Sequence, residues 1–204
     1  MQWIGPVLSL AICLGGVGAA VYFGPATCAR YCTSAGIEAP RWNRRYTYAL
    51  VSLGLCGLAL CSRAHWVGLS IAGFLSVPLL CDFAAHRLPR LWVWAGGGAL
   101  LCSAVAAYRG VLLPLAASAL GIFCFFALFS VVTKMGFGDV RLAPVALSWP
   151  VTISSAGPLW AVAGSFLLAG CGALVAILRT HNPRAQIAFG PYLILGGYLS
   201  ALIF

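Results

Sequence analysis

The stretch "VLLPLAASALGIFCFFALFSVVT", residues 111–133, runs for 23 residues without a charged side chain. A helix rising 1.5 Å per residue needs about 20 such residues to cross the hydrocarbon core of a bilayer. Similar runs recur on both sides of it, at roughly 4–23, 47–62, 66–81, 91–108, 140–151, 157–178 and 187–204. The chain is 62% hydrophobic and 7% charged, with a mean hydropathy of +1.00. A soluble domain carries about a quarter charged residues and cannot leave so much apolar surface in water. The short alternating segments of a β-barrel do not occur. The sequence therefore predicts an all-α, polytopic membrane helix bundle of about eight transmembrane segments. The sixth is too short to span and is interrupted by Pro144 and Pro150, so it reads as a half-helix lining a cavity.

Eight crossings place the loops at 24–46, 82–90, 134–141 and 179–186 on one side. Those loops hold Arg30, Arg41, Arg44, Arg45, Arg87, Arg90, Lys134, Arg141, Arg179 and Arg184, against Arg63 and Arg109 on the other side. The bias predicts a cytoplasmic location for the first set and outward-facing termini. The net charge of +9 is spread between apolar runs rather than gathered in a stripe, so it does not point to nucleic acid. The opening residues lack the basic start of a cleavable leader and read as a retained first helix. Residues 1–46 form that helix and a basic loop, and residues 47–204 the rest of the membrane domain.

Seven of the nine cysteines (Cys13, Cys56, Cys61, Cys81, Cys102, Cys124 and Cys171) lie in or at the ends of apolar runs, where thiols act as small hydrophobes. The other two, Cys28 and Cys32, fall in the first loop. They have no second pair and no nearby histidine, and so lack a tetrahedral ligand set. Neither a metal nor a cofactor is expected.

The chain has three carboxylates, Glu38, Asp82 and Asp139, all on the basic side. Glu38 lies among arginines and reads as a solvated ion pair. Asp82 opens "DFAAHRLPR", and Asp139 closes "KMGFGD". At equivalent depth on one face, two such groups suit a pair that shares one proton: the base activates water while the acid polarises a carbonyl. The plainer reading of either alone is an interfacial ion pair. Gly136 and Gly138 would allow a tight turn and close approach of a peptide backbone. At the start of a following helix, Asp139 would feel the helix dipole. His86, one turn beyond Asp82, is placed to hydrogen-bond it or to face headgroups. Lys134 and Arg141 anchor the face or assist Asp139, and Trp66, Trp92 and Trp94 read as aromatic-belt residues.

These residues resemble the aspartic prepilin peptidases, or type IV leader peptidases. Asp82 is followed after five residues by Leu88-Pro89, Gly136-Phe137-Gly138-Asp139 is followed by Arg141, and Phe189-Gly190-Pro191 opens the last segment. The resemblance covers about residues 47–204. It implies an integral membrane endopeptidase that removes the basic leader of prepilins or pseudopilins at the cytoplasmic boundary. Asp82 and Asp139 would be its catalytic pair, with Gly136, Gly138, Lys134, Arg141, His86, Pro89, Gly190 and Pro191 in support. Substrate protein and membrane lipid would be its partners. The family usually has Lys where Arg141 stands, and many members carry paired Cys-x-x-Cys motifs and methylate the new N-terminus. The short loop here implies a form without that methylating domain. Two other classes compete: a small proton- or cation-coupled transporter, which needs acids near the midplane, and an inactive assembly scaffold.

Overall fold

A computed structural model describes residues 4–62, 65–107, 110–133, 135–181 and 187–203. They form a polytopic membrane helix bundle: α1 (Ile4–Ser34), α2 (Arg45–Leu60), α3 (His65–Ala85), α4 (Arg90–Ala107), α5 (Leu112–Thr133), α6 (Phe137–Leu147), α7 (Gly157–Thr180) and α8 (Gly190–Ile203). A 3₁₀ turn, Trp149–Thr152, follows α6. Five helices (α1, α3, α4, α5 and α7) are long and apolar enough to cross a membrane. The short α6, 11 residues with Pro144 inside it, matches the half-helix expected from its prolines.

The first helix departs from the sequence reading. The sequence places a loop at 24–46, which would begin at Gly24-Pro25, yet α1 continues to Ser34. Proline removes one backbone donor, a loss that membrane helices tolerate when side chains and neighbours take up the freed groups. The carbonyl that loses its donor here is that of Val21; beyond it the Thr27 hydroxyl bonds back to Phe23 O at 2.9 Å, and Asn43 Nδ2 ties Pro25 O to the segment before α2 at 2.9 Å. Apolar packing holds the added turns, because Cys28 and Cys32 are fully buried beside Tyr48, Cys81 and Ala85. Those two cysteines are thus core residues of α1 and not loop residues.

α3 is the central helix. It is apolar on every side, and 78% of its apolar span is buried, against 17% for α5 and for α7, whose outer surfaces are left for lipid. It meets α1 at a backbone crossing. A Cβ added to Gly73 would run into the backbone of Gly16 and Val17, an approach that only glycine permits. Gly73→Ala is therefore expected to destabilise the bundle by about 1–3 kcal/mol, as overpacking against unyielding backbone does. Thermal unfolding in micelles would measure this. Polar side chains add ties within the apolar bundle. Ser52 donates to Ser76 (3.0 Å), Ser70 to Ser103 (2.8 Å), and Tyr198 of α8 to Gly68 O of α3 (2.8 Å).

Several contacts gather the basic segments at one end. Arg87 Nη1 donates to Ser34 Oγ (3.1 Å), joining the α3–α4 turn to the end of α1. Leu88 lies under Gly138, and Gly190 N–H reaches Asp82. The starts of α6 and α8 and the ends of α1 and α3 therefore meet. The start of α1 packs by Gly5 against Ala106 and Ala107 at the opposite end.

Candidate active site

Asp82 sits in the last turn of α3, 5% exposed, and its Oδ2 accepts the Gly190 N–H at 2.8 Å. Gly190 opens α8, where a backbone N–H has no partner within the helix and is free to reach Asp82, and Pro191 at the next position loses nothing by lacking one. Gly190 must remain small: a Cβ there would be 2.8 Å from Asp82 Oδ2. The third motif noticed in the sequence is thus a backbone donor to the first aspartate.

Asp139 occupies the first turn of α6, a helix too short to span, and its N–H donates to Gly136 O at 3.1 Å. It is half-buried, and its Oδ1 is buried with no hydrogen-bond partner. Burial, and then the nearby charge of Asp82, push its carboxyl up to about 7. Among the described residues neither aspartate forms an ion pair, so the interfacial ion-pair reading finds no partner for them there. Both line the same two clefts, and the charge of one is felt by the other.

The glycines divide. Gly136 is exposed in the clefts with φ −60° and ψ 134°, a conformation open to any residue, and a Cβ there would come no nearer than 3.7 Å to Asp139 Oδ2. The tight turn expected of it does not require glycine. Gly138 packs on Leu88, with an added Cβ 3.2 Å from Leu88 Cβ and Cδ1, so close approach there serves the helix start.

α3 ends at Ala85, and His86 leaves it in the left-handed region (φ 50°), donating its N–H to Asp82 O at 2.9 Å. Its ring is exposed and borders three clefts at this end. Arg141 lies with Cζ 4.8 Å from the centroid of the Phe137 ring, a cation–π contact. Pro89 is buried, and its carbonyl accepts the Trp92 and Val93 amides (3.1 and 3.3 Å), starting α4. Pro191 borders a smaller cleft of about 340 Å³. Lys134, like Arg63, Arg109 and Arg184, lies outside the described residues.

The two larger clefts share Asp82, His86, Gly136 and Asp139 and differ in character beyond them. One, about 550 Å³, is bordered by Tyr31, Arg87, Arg90, Trp94, Phe137 and Arg141. The other, about 510 Å³, is bordered by Phe129, Thr133, Met135, Phe166, Ile187 and Phe189. Phe166 contacts Phe129 edge-on (centroids 5.3 Å) and Phe189 at 5.6 Å, forming an aromatic wall between α5, α7 and the start of α8. Sequence reading missed Tyr31, Phe129 and Phe166. Tyr31 was hidden by the supposed loop, and a phenylalanine in an apolar run gives no sign of which face it occupies.

No family model and no solved structure match the chain. Among curated proteins, it is similar to a prepilin leader peptidase/N-methyltransferase of Pseudomonas putida, at 27% identity over 76% of this chain and 58% of that protein. The chain thus spans less than two thirds of the length of the curated relative it matches.

Proposed function

We propose that the chain is a membrane aspartic endopeptidase that removes the basic leader of prepilin-like or pseudopilin substrates at the cytoplasmic face of a bacterial inner membrane. The observation that carries this reading is the pair itself. Two carboxylates, one buried and one half-buried and neither with an ion-pair partner among the described residues, meet where a basic cleft joins an aromatic one. The name of the Pseudomonas putida relative supports the substrate class, and the positive charge of the loops at this end supports a cytoplasmic side for it.

The environments of the two carboxyls divide the labour. Asp82 Oδ2 already accepts an N–H, so the shared proton does not sit there. Asp139 Oδ1, buried and unpartnered, is the better seat for it. Asp82 then takes a proton from water as the water oxygen attacks the scissile carbonyl, and Asp139 gives its proton to the carbonyl oxygen. The resulting diol collapses as Asp82 passes the proton it took from water to the amine nitrogen, Asp139 takes one back from a diol hydroxyl, and the C–N bond breaks, which restores both carboxyls. The aromatic cleft, beside the lipid-exposed faces of α5 and α7, suits the substrate's apolar segment arriving by lateral diffusion. Transport would call for acids well inside the bilayer, whereas Asp82 lies three residues from the end of α3.

The direct test is cleavage of a prepilin by the full chain in vesicles, with the products identified by mass. A new N-terminus just before the apolar stretch is expected. Failure on prepilins that the Pseudomonas putida relative cuts under the same conditions would count against the reading. The pH profile is a second check. Asp139 holds its proton below about 7 and loses it above, so the acid disappears as pH rises. Cleavage should fall about tenfold per unit on the alkaline side of 7, and a rate that climbs steadily to pH 9 would contradict this assignment.

A further inference from the structure

We infer that the basic cleft beside the aspartates binds the phosphate of an anionic phospholipid headgroup, held by Arg87 and Arg90 together with Arg141. Three guanidinium groups border this cleft, and its only carboxylates are Asp82 and Asp139. The arginines outnumber the carboxylates in every protonation state. Among the described residues no carboxylate pairs with any of the three. Arg87 donates to the Ser34 hydroxyl, Arg141 lies over the Phe137 ring, and Arg90 opens α4, whose first turn holds no acidic residue. A concave site with excess positive charge at the headgroup level of a helix bundle favours an anion, and phosphate geometry matches guanidinium donors.

The surroundings favour a lipid over a free anion. Leu91 and Trp94 are 78% and 71% exposed, next to the cleft on the outer face of α4. Leu101 and Val105 continue that exposed face along the helix, giving an acyl chain an apolar track leading from the phosphate site. A lipid phosphate seated here would also turn a face that repels a basic leader into one that holds it. That last consequence rests on the proposed peptidase function; the binding site itself does not.

The test uses the full chain in micelles, with lipid retention read by native mass spectrometry. Phosphatidylglycerol is compared with phosphatidylcholine of the same acyl chains, and inorganic phosphate is added as a competitor. Wild type should retain phosphatidylglycerol preferentially. The Arg87→Gln/Arg90→Gln variant should lose about thirtyfold in that affinity, because each basic residue near an anionic lipid contributes about 1 kcal/mol. Arg87→Lys/Arg90→Lys should keep most of the preference, since the charge remains. Asp82→Asn/Asp139→Asn, which takes negative charge out of the cleft, should retain phosphatidylglycerol at least as well as wild type. Equal retention of the two lipids by wild type, or undiminished phosphatidylglycerol binding by the Gln variant, would overturn the inference. Full displacement by millimolar inorganic phosphate would overturn it in favour of a small-anion site. Lipid preference without prepilin cleavage would leave this site standing and remove the peptidase reading instead.

Discussion

Asp82→Asn and Asp139→Asn are each expected to lower prepilin cleavage about a hundred- to ten-thousandfold, the range for loss of one member of an acid–base pair. Both replacements keep size and shape. In the first, the amide side chain would still offer a carbonyl oxygen to the Gly190 N–H, so the junction of α3 and α8 should survive. In the second, an amide would stand where a buried, unpartnered oxygen now sits, at small cost to a half-buried group. Insertion and thermal stability should therefore change little while activity collapses. The double variant should be hardly worse than either single one, because groups that share a proton act as a unit. Cleavage rates in vesicles at equal protein loading measure all three. Additive losses, or a single variant keeping more than about a tenth of the activity, would show that the aspartates do not work as a pair.

The second large effect is expected at Gly190. In Gly190→Ala the added methyl would lie 2.8 Å from Asp82 Oδ2 and 3.3 Å from its Cγ, so the carboxyl must swing away and lose its backbone donor. Displacing a catalytic group by about 1 Å costs about a hundredfold in rate, and we expect at least that. The glycines of the Asp139 motif provide a graded comparison. Gly136→Ala meets nothing nearer than 3.7 Å at a permissive backbone angle, and cleavage should stay within a few-fold of wild type. Gly138→Ala must push Leu88 by a few tenths of an ångström and should fall between the two. An order with Gly136→Ala worst would mean that substrate, and not the folded chain, sets the need for glycine there.

The helical membrane class was determined by composition and run length alone, since no soluble fold can leave so apolar a chain in water. The brevity of α6 was equally legible, because Pro144 and Pro150 interrupt its run. Both aspartates could be singled out because a chain with three acids shows each of them against an apolar background. Other features depended on partners far away in sequence. That α1 runs through Pro25 follows from the burial of Cys28 and Cys32 against Tyr48, Cys81 and Ala85, and local propensity at Gly24-Pro25 points the other way. Gly190 is confined by Asp82, 108 residues earlier, and a glycine in an apolar run carries no mark of what approaches it. The division of the site into an arginine cleft and an aromatic one arises because α1, α4 and α6 supply one wall and α5, α7 and α8 the other. In a bilayer every outward face is apolar, so periodicity cannot tell a cleft-facing phenylalanine from a lipid-facing one. Only the packing of the helices decides which face becomes the site.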